Sequence, residues 1–183
     1  MRIMLVAVAG LLLQGATVKG SISAKGGSMS VAEAVAVWDP AKGELRVALM
    51  PFKIQEKHLK DIRKDRTMFA GFGEKSPDPK KWPDWCPGAE VKLTLDPKEL
   101  AKGPASLKSY HLWAYGLKEK NFTHNMNGSG EDAQKEMSKL VVKLDAKGAG
   151  TFEMAFAGKS AFDEGLAWDL VVKGTVLTPL ADK

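Results

Sequence analysis

The chain predicts an all-β fold, either an antiparallel barrel of about eight strands or a two-sheet sandwich, with one surface helix and a long Pro-rich loop. Three observations predict it. Apolar residues alternate with period two in several separate runs, Asp, Pro and Gly turn signals stand between those runs, and helical periodicity is scarce. With 183 residues, 44% hydrophobic and 27% charged, the chain fits a single domain able to bury a real core.

The first segment is a candidate leader. Met1-Arg2 is a short positive start, Ile3 to Leu13 is uncharged and almost wholly apolar, and Gln14-Gly15-Ala16 follows. This layout predicts a secretory signal peptide over 1–16, a domain over 17–183, and a periplasmic or extracellular location. Gln14 fits poorly as the third residue before the cut. Cleavage after Ser23, with Ser21 and Ser23 as the small residues, is the alternative, and a buried first strand competes with both. The apolar run is too short for a membrane span, so no transmembrane segment is expected in the mature chain.

Strands follow in order. A first is expected near 17–23. Val31, Glu33, Val35 and Val37 then alternate with Ala32, Ala34, Ala36 and Trp38, Asp39-Pro40-Ala41-Lys42-Gly43 makes a turn, and Leu45, Val47 and Leu49 alternate with Arg46, Ala48 and Met50. Asp opens the turn, Pro presets φ and Gly accepts a positive φ, so this is a hairpin with strands near 30–38 and 44–52. Small or apolar residues on both faces imply that both are covered. The stretch Val31 to Leu49 resembles exported bacterial β-domains of unknown function. That resemblance implies no residue roles and no activity.

Gln55 to Arg66 is highly charged, with Ile54, Leu59, Ile62 and Phe69 as a thin apolar stripe, and predicts the surface helix. Ala70 to Gly88 holds Pro77, Pro79, Pro83 and Pro87 and predicts the long loop. Further strands are expected near 90–95, 108–117, 139–145, 150–157 and 166–177. Ser129-Gly130-Glu131-Asp132 resembles a capping box opening a short helix to Met137, and Asp145-Ala146-Lys147-Gly148 turns between two strands.

Charge argues against nucleic acid as a partner. The formal net charge is +5, only four of the 27 basic residues are Arg, and the surplus is concentrated between Lys53 and Lys81. Lysine-rich surfaces mainly confer solubility, whereas bidentate phosphate and base recognition favours Arg, and no nucleic-acid motif is present.

Candidate binding residues lie in two places. Trp82-Pro83-Asp84-Trp85-Cys86-Pro87 puts two large aromatics and the single Cys in the Pro-stiffened loop, as a ligand lid or as a hydrophobic plug. His111, Trp113 and Tyr115 share one strand face, opposite Tyr110, Leu112 and Ala114, and suit a small aromatic or sugar-like ligand or a half-buried sheet face. A lone Cys86 excludes an internal disulfide and a Cys-rich zinc site. Its pairing with His111 or His124 would be the route to an enzyme, and His124, Met126, His111, His58 and Cys86 the route to copper handling. Asn121-Phe122-Thr123 and Asn127-Gly128-Ser129 match the glycosylation acceptor pattern. Familiar hydrolase, phosphate-loop and zinc-protease motifs are missing from the sequence. The expectation is therefore a non-catalytic binding protein for a small apolar ligand or a protein partner, with no cofactor.

Overall fold

A computed structural model describes residues 17–24, 27–54, 59, 62–64, 87–117, 123–144, 151–159 and 165–180. The described residues form ten strands, β1 (Thr17–Ala24), β2 (Gly27–Ser30), β3 (Glu33–Asp39), β4 (Glu44–Met50), β5 (Gly88–Leu95), β6 (Leu107–Tyr115), β7 (Thr123–Ser129), β8 (Met137–Leu144), β9 (Thr151–Lys159) and β10 (Ala167–Leu177), with a short helix, α1 (Gly130–Glu136), between β7 and β8 and a 3₁₀ segment over Leu100–Ser106.

Two sheets face each other. The first runs β2-β1-β10-β9-β8 and is antiparallel throughout. The second runs β10-β3-β4-β5-β6-β7. β10 belongs to both: Ala167 to Thr175 pairs with β9, while Val176 and Leu177 pair in parallel with Ala36 and Val37 of β3. The architecture is a sandwich; no closed barrel forms among the described residues, and this one parallel pairing departs from the all-antiparallel expectation.

Period-two alternation explains the layering. From the first sheet, Ile22, Met29, Leu140, Phe152, Met154, Phe156, Trp168, Leu170 and Val172 point inward; from the second, Ala34, Ala36, Trp38, Leu45, Val47, Leu49, Val91, Leu93, Tyr110, Leu112 and Met126 meet them in one core. Phe156 and Trp168 stack with ring centroids 5.4 Å apart. α1 carries the chain from β7 in the second sheet to β8 in the first and buries Ala133. The Tyr110 hydroxyl donates to Glu136 at its end. Gly128 lies beneath this contact, where a Cβ would stand 2.6 Å from the Tyr110 ring.

The hairpin forms as expected over β3 and β4, and both of its faces are covered. A second cluster joins Val37, Ala48, Met50, Ile54 and Ile62 on the outer face, with Val35, Phe52 and Leu59 against it. Of the expected surface helix, Leu59, Ile62 and Arg63 are helical and the remainder lies outside the described residues, as do the leader, the 145–148 turn and the Pro-rich loop up to Cys86. The strand count is corrected from eight to ten. β2 is only four residues long, and β7 reads Thr-His-Asn-Met-Asn-Gly-Ser, so neither carries the β-branched alternation by which strands are recognised. Ser129 stands at the start of α1 without a side-chain capping bond, so the expected capping box does not form.

Candidate functional site

The outer face of the second sheet carries rows of polar side chains, set by the register. Arg46 stands opposite Lys92, Lys92 opposite His111, and His111 opposite Asn127. In the next row Ala48, Glu90 and Trp113 are neighbours, and on the other side Glu44, Thr94, Ser109 and Ser129. Side chains directly opposite on adjacent strands stand about 5 Å apart, so each row is a continuous strip.

The stretch made by residues 51–54 and 62–64 divides this face in two. Over β3 and β4 its Ile54 and Ile62 cover the apolar residues, with the Ile54 amide donating to Glu33 and Arg46 Nη1 donating to the Ile62 carbonyl at 3.1 Å. Arg63 Nε in turn donates to the Thr178 carbonyl at 2.8 Å, which ties the segment to the end of β10. Beside this cover lies a buried charged cluster. Glu44, Arg46 and Glu90 are 8%, 6% and 6% exposed. Lys92 Nζ is 2.8 Å and Arg46 Nε 3.5 Å from the two Glu44 oxygens. Burying such charges is costly unless they are paired, and Glu44 is paired with both Lys92 and Arg46. Arg46, Glu90, Lys92, His111 and Tyr115 each make further contacts.

Over β5, β6 and β7 the face opens into a groove of about 500 Å³, lined by Lys92, Thr94, Ser109, His111, Trp113, Asn127 and Ser129, with Tyr110 and Gly128 beneath. The His111 and Trp113 rings stack, with centroids 3.2 Å apart and planes inclined by 25°. They form a stacked aromatic pair bordered by one ammonium, three hydroxyls and one amide. Tyr110 points the other way. Burial and the Glu136 carboxylate hold its phenol well above the usual tyrosine range, so it remains a neutral donor.

The three expected side chains on β6 therefore separate. His111 and Trp113 line the groove, while Tyr115 is partly buried against the covered apolar cluster. Trp82, Trp85 and Cys86 lie outside the described residues, and so does His58; of the copper set, His111 faces the groove while Met126 points into the core on the opposite face of the sheet. His124 stands opposite Ala114 in the β6–β7 register. Among the described residues no three His, Cys, Asp or Glu side chains gather as a metal site. No described helix is long and apolar enough to cross a membrane. Sequence reasoning missed Thr94, Ser109, Asn127 and Ser129. Lys92 and Thr94 alternate with Val91, Leu93 and Leu95, which locally sets only their face of the strand; register brings them beside His111. The chain matches no known protein family, no curated protein and no solved structure.

Proposed function

We propose that the chain is an exported, non-catalytic binding protein whose ligand lies in the β5–β6–β7 groove. The observation that carries this reading is the stacked His111–Trp113 pair with a polar border. Flat rings present an apolar face, and sugars combine such a face with a hydroxyl edge; both are complementary to this arrangement. The groove thus favours a small aromatic or sugar-like ligand over a wholly apolar one, since the latter would strip water from Lys92, Thr94 and Asn127 with nothing in return. Export is supported by the leader over 1–16, a short positive start followed by an uncharged apolar run.

The test is titration of the isotopically labelled protein with a panel of oligosaccharides and aromatic glycosides, read on the Trp113 indole N–H and on the Thr94, Ser109 and Asn127 amides. A ligand should shift these signals together, and Trp113→Ala should weaken its affinity by roughly tenfold or more, the equivalent of one good stacking contact. A ligand bound equally well by Trp113→Ala, or one that shifts none of these signals, would overturn the assignment.

A further inference from the structure

The outward face of the first sheet is a separate surface. Lys139, Val141 and Lys143 of β8 point outward, opposite Ala157, Ala155 and Glu153 of β9. Across β10 these rows continue through Asp169, Val171 and Lys173, and on β1 through Ser21 and Lys19. Lys159 adds a fifth lysine at the end of β9. Small apolar residues, Ala155, Ala157 and Val171, thus occupy the middle, with Val141 beside them on the edge strand and lysines around. Val141 is 39% exposed and is the exposed large hydrophobic among the described residues. The Lys143 and Lys173 side chains, 70% and 59% exposed, flank Glu153 at 3.7 and 3.1 Å. Lys19, Lys139 and Lys159 are exposed and have no ion-pair partner among the described residues. Five lysines against Glu153 and Asp169 leave this one face at +3.

We propose that this face docks onto an anionic lipid surface. Charge complementarity selects an anion, and the same-sign charge opposes pairing with a second copy of the chain. Planarity then selects the form of that anion. All five ammonium groups stand on one side of a single sheet, so a planar array of headgroups meets them at once, whereas a linear polyanion would follow one row and leave the others unmet. Sheet twist of about 20° per strand is within the reach of lysine stems. Lys, with its rotatable point charge, suits mobile headgroups better than Arg, whose fork requires a fixed partner. The low-profile apolar centre lets the face approach closely without inserting, so attachment is electrostatic and reversible.

The test is vesicle co-sedimentation of the protein as recovered from its host. Vesicles with roughly one-third phosphatidylglycerol should bind it and pure phosphatidylcholine vesicles should not, with binding lost near about 0.5 M salt, where screening is short-ranged. Replacing Lys19, Lys139 and Lys159 together by Gln should weaken partition about 100-fold, at about fivefold per lysine. Lys42, Lys98 and Lys102, exposed on turns elsewhere, provide a triple Gln control of equal net charge and should change it far less. Should the first triple lose its thermal transition, the three single Gln variants carry the same test at about fivefold each. Equal losses in both triples, or binding independent of phosphatidylglycerol and salt, would overturn the proposal. Retention on immobilised alginate with no vesicle binding would overturn it in favour of an acidic polysaccharide.

Discussion

Gly43 has φ 65°, and a Cβ there would stand 2.5 Å from the Leu95 carbonyl oxygen. Its own carbonyl accepts from the Leu95 amide at 2.8 Å, so the turn between β3 and β4 is fastened to the end of β5. Asp39 Oδ1 accepts from the amides of Ala41 and Lys42 at 3.1 and 3.3 Å, which is why Asp opens this loop. Gly43→Val should therefore cost more than about 1 kcal/mol, through left-handed strain and the close approach to Leu95, read as a lowered denaturant midpoint. An unchanged midpoint would mean that the loop relaxes. This residue was legible because turn chemistry is local. The division of His111, Trp113 and Tyr115 between groove and apolar cluster was not, since it depends on where Ile54 and Ile62 lie across the sheet.

Among the elements, β10 shows how far alternation reaches. Trp168, Leu170 and Val172 are buried while Asp169 and Lys173 are exposed, as period two requires. Leu170→Ala should cost about 2–5 kcal/mol, the range for emptying a packed core site, while Val171→Ala on the outward face should cost under about 1 kcal/mol. Similar losses at both positions in chemical denaturation would mean that the outward face of the first sheet is covered. Alternation reveals which face of a strand is buried, but not its neighbours. The parallel pairing of Val176 and Leu177 with β3 is a tertiary outcome and left no local mark. β7 was missed for a related reason: it is polar and forms because β6 offers it a ladder from Ser109 to Tyr115. With β7 went Asn127 and Ser129, and so one wall of the groove.

Over the whole molecule, the two candidate cleavage points have different consequences. Cleavage after Ala16 spares β1. Cleavage after Ser23 would remove Thr17 to Ser23, which pair with β10 over seven positions and place Ile22 fully in the core. Loss of that strand would bare the inner edge of β10 and open the core. Protein recovered from envelope or medium should therefore begin at Thr17 in N-terminal sequencing. A start at Ala24, or intact Met1 in soluble cytoplasm, would overturn the export reading or its cut site. Fold class, the hairpin and the outward residues of β6 were all readable from local pattern. Sheet order and the groove were not, because they are made by contacts between segments far apart in the chain.

The pairing of β1 with β10 also sets a timetable. Gly20 lies beside Leu170, so the first of the described strands waits for the last of them. β10 also pairs with β9 and β3, so the first sheet is completed only with it, while β3 to β7 pair in sequence order. All-β domains whose closure needs such distant pairings fold in roughly milliseconds to seconds, because long loops must close before those contacts form. A chain delivered N-terminus first across a membrane would emerge unable to complete its sandwich in transit, and would fold on the far side once its last strand was through.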